Sequence, residues 1–286
     1  MSNIKKMGQA GSKSADPAQI RIESVKELTD FERCVEVQLA VWGYSDGDLI
    51  PKRVFIVADR IGGQVIGAFD RDVMVGFAMA LPGYRAGKPY LHSHMLAVLP
   101  EYRNAGLGRR LKLAQRDDAL ARGFDLMEWT FDPLEIKNAH LNIVRLGAIA
   151  RRYMPDFYGP STSPLQGGLP TDRLVAEWWL RSRRVRRTLG ELGENDPYKQ
   201  TEPAQVLVQV SVPAAVTDWK RSPDQRKLAE SLQTRNRLAL ESAFARGLGI
   251  TGYDRNQQGD GCFLLGPVSG LEEPQMQGTE SQRTTG

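Results

Sequence analysis

Cysteine is scarce. The 286 residues contain two, Cys34 and Cys262, too few for a disulfide framework and with no spacing that suggests a zinc site. Both lie in apolar patterns, beside Val35 and Phe263, and read as reduced core thiols. Long hydrophobic runs are also lacking. No segment reaches transmembrane length, and the N-terminus has no apolar run of the kind a signal peptide needs. The expectation is a cytoplasmic protein that does not enter a membrane. Nor does one sign of charge dominate: 38 Lys and Arg face 34 Asp and Glu, a net charge of +4. The densest basic run, Arg181 to Arg187, has no interleaved aromatics for base stacking. It reads as a solvated helix face or linker, and no nucleic-acid partner is expected.

What the chain does contain is alternating periodicity. Residues 1–19 are Gly-, Ser- and Lys-rich and read as a disordered tail. Ile20 to Glu23 alternates as a strand. Thr29 and Glu32 have capping-box spacing, ahead of Phe31, Val35, Leu39 and Trp42 at helical spacing and a stop at Gly43. Arg53 to Ile61 gives a second helix, closed by Gly62 and Gly63. Gln64–Asp70 and Val73–Leu81 flank a short polar turn as a hairpin. After a Gly/Pro-containing loop, Tyr90 to Leu99 is a further strand ending at Pro100. Gly106 and Gly108 open a helix that stops near Gly123, and Leu126–Phe131 is the next strand. Asn138–Tyr153 reads as a helix, and Tyr158 and Arg173–Leu180 as arms of a late hairpin. This order predicts an α/β (α+β) domain with a mixed, mostly antiparallel central sheet flanked by helices, over 20–182. A linker is expected over 183–204. A smaller C-terminal αβ unit follows over 205–267: a strand at Val206–Val212, a helix at Pro223–Arg246, and strands at Leu248–Tyr253 and Cys262–Leu265. A disordered tail is expected over 268–286.

The stretch that carries chemistry is Leu96 to Leu111. An apolar strand ends at Pro100, and a short turn leads through Arg103, Asn104, Ala105, Gly106, Leu107, Gly108 and Arg109 into a helix. Backbone N–H groups at a helix start have no intrahelical acceptor, and the helix dipole adds positive potential. Such a site binds phosphate. Glycines at 106 and 108 let an anion approach the backbone, and Arg103, Arg109 and Arg110 add charge. A P-loop would need Lys and Ser/Thr after the second glycine, and the dinucleotide fingerprint would need three glycines on a first strand. Neither holds.

Arg103-x-x-Gly106-x-Gly108 between an apolar strand and an amphipathic helix resembles motif A of the Gcn5-related N-acetyltransferases (GNAT). The element order over roughly Ile20 to Leu180 is similar to that fold. Glu128 to Pro133, Asn138 to Asn142, Leu146 to Ala148, Phe157 to Gly159 and Asp172 to Trp178 resemble one branch of that superfamily, in which a small C-terminal unit is also expected. The resemblance implies an acyl-CoA-dependent N-acyltransferase, using acetyl-CoA or another acyl-CoA such as succinyl-CoA as co-substrate, with no metal. It also implies that two strands splay apart and that the backbone of Leu96 and Val98 meets the pantetheine arm. Asn138 would hold the arm or act as a helix N-cap, and Asn142 lies four residues on.

Catalytic candidates follow. His92 and His94 share a strand face with Leu96 and Val98. His92 could act as base near neutral pH or be a hydrogen-bonded structural residue, and Glu128 on the next strand competes for the role. Tyr158, with Tyr153 as fallback, would protonate the departing thiolate or simply pack as an aromatic. The expected reaction is direct transfer to a primary amine of a small molecule such as an amino acid, in a ternary complex. The alternatives are a non-catalytic CoA-ester sensor, with the C-terminal unit as a partner or homodimer surface, and a protein lysine acetyltransferase.

Overall fold

The computed structural model describes residues 19–43, 48–161, 166–193 and 205–270. Most of the tails expected over 1–19 and 268–286, and residues 194–204 of the expected linker, therefore lie outside the described residues. Within them the chain runs β1 (Arg21–Ser24), α1 (Leu28–Trp42), α2 (Lys52–Arg60), β2 (Gln64–Asp70), β3 (Val73–Arg85), β4 (Lys88–Val98), α3 (Leu107–Ala121) and β5 (Leu126–Phe131). It continues with α4 (Ile136–His140), β6 (Ile149–Met154), β7 (Arg173–Trp179), α5 (Arg183–Leu189), β8 (Val208–Val212), α6 (Val216–Arg221), α7 (Arg226–Ala245), β9 (Leu248–Arg255) and β10 (Gly261–Pro267).

All ten strands form one sheet in the order β1-β2-β3-β4-β5-β7-β6-β9-β10-β8. Only the β4–β5 pair is parallel; the others are antiparallel. The C-terminal strands extend the same sheet, through the pair Ala150–Ile250. The two sides of the β4–β5 seam have different cores. One packs Phe31, Cys34, Phe55, Phe77 and Leu111 around β2–β4. The other packs Met127, Trp129, Trp178, Leu240, Ile250 and Phe263 around β5–β10. Cys34 is fully buried and Cys262 partly so, and both are free.

Five local readings differ from the sequence-based expectation, the first being that β6, and not a strand at Tyr158, pairs with β7, which leaves Tyr158 in the turn after β6. α1 begins at Leu28, with Glu27 as N-cap and no side-chain cap bond, so Thr29 and Glu32 form no capping box. No Gly/Pro loop separates β3 from β4, because Pro82 and Gly83 lie within β3, paired to Leu91 and Tyr90. The stretch 138–153 is not one helix: α4 ends at His140, a π-helical turn covers Leu141–Arg145, and β6 follows. Gly147, at φ +78°, makes the turn between them, a conformation that disfavours any residue with a Cβ. Finally, the helix expected from Pro223 begins at Arg226, and Pro223 lies in the turn between α6 and α7.

The C-terminal helices are pinned to the rest of the sheet by two buried ionic anchors. Lys220 on α6 donates to Asp132 and Glu135, both at 2.9 Å. Burial alone would lower the pKa of its ammonium, but the two carboxylates outweigh it and hold it above the usual value. Arg237 on α7 binds both oxygens of Asp172, at 2.9 and 2.8 Å. Asp172 is fully buried and also accepts from the Tyr153 hydroxyl at 2.6 Å and the Asp156 N–H at 3.0 Å.

Removing Arg237 leaves a buried carboxylate without its counter-ion. Arg237→Leu should lower unfolding free energy by about 3 kcal/mol in urea titration. Lys52→Ala, at the exposed Lys52–Glu32 pair, should change it by less than about 0.5 kcal/mol. Equal losses in the two variants would show that the anchor contributes nothing special.

Candidate active site

The site begins where β4 leaves β5. These strands pair only at Leu91–Met127 and His92–Glu128, whereas β4 stays registered with β3 from Lys88 to Val98. Beyond Val98, Leu99 N–H donates to Val75 O at 2.9 Å. In an antiparallel ladder, residues alternate between pointing their N–H and C=O at the partner and away from it. Leu99 and Ala97 therefore face β3, while Leu96 and Val98 turn their backbone groups to the edge that β5 has vacated. The Val98 carbonyl accepts from Arg103 Nε at 3.1 Å, so Arg103 folds back along this edge.

The loop after β4 sets up the start of α3. Pro100–Tyr102 forms one 3₁₀ turn, fastened by the Tyr102 hydroxyl to Asp70 at 2.9 Å. Asn104 and Gly106 both take left-handed backbone, at φ +64° and +78°. Gly106 is the N-cap of α3, and no side chain caps the helix. Its first-turn N–H groups thus lack a side-chain acceptor. Gly108 sits in that first turn, and a Cβ there would meet only Leu96 Cδ2, at the ordinary contact distance of 3.8 Å. Fold packing does not demand glycine at 108, where alanine would favour the helix by about 0.5–1 kcal/mol. Close approach of something outside the chain would demand it. Arg109 donates to Arg145 O at 3.2 Å and Lys137 to Asn104 Oδ1 at 3.4 Å, so Arg103, Arg109 and Lys137 surround the helix start. Arg110 does not join them, because its guanidinium reaches Ile20 O at 2.7 Å.

One face of the sheet at the same seam is polar. In-register neighbours share a face, so His92, Glu128 and Glu177 form a row across β4, β5 and β7. Arg85 Nη1 and Arg152 Nη2 bind the same oxygen of Glu128, at 2.7 and 2.6 Å. Arg152 also contacts Glu177 at 3.3 Å, and Arg151 reaches Glu177 at 3.0 Å. Arg151 and Arg152 are consecutive, yet both reach one carboxylate because the β6–β7 register shifts between Ala150 and Tyr153. Glu128 is thus buried under two guanidinium groups, an arrangement that occupies it as an ion-pair partner and withholds it from service as a free base.

His92 lies beside Glu128, and its ring centroid is 6.1 Å from that of His94. Burial, then the neighbouring His94, Lys112 and Arg152, lower its pKa to about 4. Lys112 is a buried lysine of α3 that donates to Ser93 Oγ at 2.7 Å and lies 3.7 Å from the Trp129 ring centroid. Its own pKa is lowered well below the usual value by desolvation. His92 is therefore neutral through the neutral pH range rather than titrating within it.

Tyr158 lies in the turn after β6. Its hydroxyl is 2.9 Å from Thr130 Oγ1 on β5, one face-sharing step beyond Glu128. Its ring is about half exposed, and the Arg173 guanidinium carbon lies 5.4 Å from the ring centroid. Tyr153 is committed elsewhere: burial and Asp172 push its pKa up, and its hydroxyl donates to that carboxylate. Asn138 is exposed and lies inside α4, whose N-cap is Glu135, so the N-cap reading fails. The π turn also removes the shared face expected for Asn138 and Asn142, because Asn142 is buried and its Nδ2 lacks a partner. Arg85, Arg152, Glu177, Thr130 and Lys137 escaped the sequence reading. Only a correct strand assignment over 149–154 could have placed Arg152 opposite Glu177.

Residues 30–141 match the family model described as the acetyltransferase (GNAT) family. No curated protein matches the chain. Among solved structures, it is similar to the ribosomal-protein-S18-alanine N-acetyltransferase from Escherichia coli, at 18% identity and TM-score 0.46, covering 62% of this chain and 97% of that one. A Salmonella typhimurium protein described as an acetyltransferase, solved with its cofactor acetyl-CoA, matches at 17% identity and TM-score 0.46, covering 57% and 94%.

Two measurements probe this geometry. An NMR titration should find the His92 imidazole neutral down to about pH 4. Because its folded-state pKa lies below the ordinary value, the unfolded chain binds more protons between those two values. The His92 contribution should therefore lower stability as pH falls from about 6.5 to about 4, and add nothing above that range. A midpoint near 6.5 would contradict the desolvated environment. Separately, Gly108→Ala should keep or raise the melting temperature, yet weaken CoA binding by about tenfold in calorimetry. Unchanged affinity would show that nothing approaches this backbone.

Proposed function

We propose that this chain, whose residues 30–141 match the GNAT acetyltransferase family model, is an acyl-CoA-dependent N-acyltransferase acting on the primary amine of a small molecule. Acetylation from acyl-CoA is the family's chemistry. The amine acceptor and the roles of individual residues are our reading. The observation that carries it is the β4 edge that β5 leaves without a ladder at Leu96 and Val98, where Arg103 reaches the Val98 carbonyl, beside the uncapped α3 start, with a glycine at 108 that the fold itself does not require. An extended amide-containing arm can pair with such an edge, and a pyrophosphate suits such a helix start.

In this reading, Asn104, Ala105, Gly106, Leu107, Gly108 and Arg109 cradle the pyrophosphate, with Arg103 alongside. The exposed Asn138 lies beside Lys137, which reaches this loop, and is placed to contact the arm. The acceptor nitrogen attacks the thioester carbonyl from the polar face. The C–N bond forms, the C–S bond breaks, and the Tyr158 hydroxyl gives its proton to the departing thiolate. A backbone N–H of the bare edge stabilises the developing oxyanion. His92, held neutral, accepts a hydrogen bond from the uncharged amine, and the proton that the nitrogen sheds passes through water to restore the Tyr158 hydroxyl. With a pKa near 4 it is too weak a base to deprotonate an ammonium ion outright. Glu128 serves by holding Arg85 and Arg152. The unit over 205–267 buttresses the turn that carries Tyr158, through Arg237 and Asp172. A cytoplasmic setting fits two free thiols, which persist in reducing compartments.

The test is thiol release from acetyl- and succinyl-CoA across a panel of small amines and lysine peptides. Turnover of small amines is expected. CoA-ester binding without turnover of any amine would instead identify a sensor, and turnover confined to peptides a protein acetyltransferase. Tyr158→Phe should lower kcat by about a hundredfold while leaving CoA affinity intact, and an unchanged kcat would remove Tyr158 from the mechanism.

A further inference from the structure

The polar row beside His92 sets partly exposed arginines over buried carboxylates. Glu128 and Glu177 are 3% and 1% exposed. The three arginines that meet them, Arg85, Arg151 and Arg152, keep about a third of their side chains exposed, at 34%, 32% and 36%. The carboxylates therefore form the floor and the guanidinium groups the rim. Arg85 and Arg152 turn part of each guanidinium outward, next to the imidazole at the strand seam.

Stability does not explain this arrangement. A buried ion network costs desolvation, and apolar residues of similar volume usually serve a fold as well or better. A β-bulge is also spent on bringing two consecutive arginines to one carboxylate. Anchored from below, guanidinium groups are oriented before any ligand arrives, and their planar donor forks match the two oxygens of a carboxylate.

We infer that the acceptor is an amine bearing an anionic group, a carboxylate or a phosphonate-like anion, gripped by Arg85 and Arg152 so that its amino group lies at His92. This rests on the transferase reading above and narrows its acceptor to amino acids and their acidic analogues. Glu128 and Glu177 act as positioning residues for the two guanidinium groups.

The experiment uses the full chain with saturating acetyl-CoA. It compares amino acids with their uncharged amides and with aminoalkylphosphonates, in binding by calorimetry and in turnover by thiol release. The acids should bind and react about tenfold better than the amides, although the amide's less basic amine favours it intrinsically. Phosphonates that match the acids would extend the ligand to tetrahedral anions, while phosphonates that fail restrict it to carboxylates. Arg152→Gln should erase the preference for the acids, mainly through KM, with acetyl-CoA binding confirming that the variant is folded. Arg85→Lys, which keeps the charge facing Glu128 but loses the fork, should erase it in part.

Amides that bind and react as well as acids would overturn the inference while leaving the transferase reading intact. Selective binding of acids without any thiol release would support the anion grip and sink the transferase reading. Failure of acids to bind in preference to amides, with or without turnover, would also overturn the grip.

Discussion

Two parallel strands that pair at only two positions leave a sheet with an internal edge, and the rest of this molecule is arranged around that edge. A backbone N–H or C=O removed from water must find a partner. From Leu96 to Val98, β4 has one ladder, to β3, and lacks the other because β5 has diverged. A sheet of ten strands normally exposes such groups only at its margins. Here they open into the interior, between two separately packed cores. The core around β5–β10 reaches across to Ala80, Leu91 and Ala119 at the paired end of the seam, so the two halves are packed together there and part beyond it.

That arrangement explains why the C-terminal strands and helices matter to a site that they do not line. The half-sheet containing β5 has no ladder to the other half beyond His92–Glu128. Its orientation must be fixed from its far side. Lys220 reaches back to Asp132 and Glu135 just after β5. Arg237 holds Asp172 at the start of β7, and the same carboxylate receives the Asp156 N–H of the turn bearing Tyr158. Each is a buried charge pair, poor as a source of net stability but strongly direction-dependent once formed. Their placement on the two segments flanking the gap is what a rigid mouth requires.

Much of this was legible in the residue order. The hairpin 64–81, the strand before Pro100, the glycine-bearing helix start and the strand 126–131 follow from period-two and helical patterning, and the structure contains each. The failures share a cause. Between Asn138 and Tyr153, apolar residues recur every three or four positions, which mimics a helix. In the structure they come from a short helix, a π turn, a left-handed glycine and a bulged strand in succession. A bulge breaks the alternation by which a strand announces itself, so Arg151 and Arg152 gave no hint of a shared face. Without that strand, Glu128 had no visible partner and passed for a free carboxylate.

The same contrast separates the two candidate bases in physical terms. Glu128 and His92 are cross-strand neighbours, the first almost wholly and the second partly buried, and they meet burial in opposite ways. A carboxylate can stay charged inside a protein only when cations pay its desolvation, and two arginines do so here. An imidazole has a neutral form to fall back on; burial favours that form most for His92, and His94, Lys112 and Arg152 add to it. Arg152, which helps to disqualify Glu128 as a base, thus also helps to keep His92 uncharged. The row thus offers a neutral hydrogen-bond acceptor beside a cationic rim. On the reading proposed above, a neutral amine tethered to an anion meets guanidinium donors at one end and an uncharged imidazole at the other.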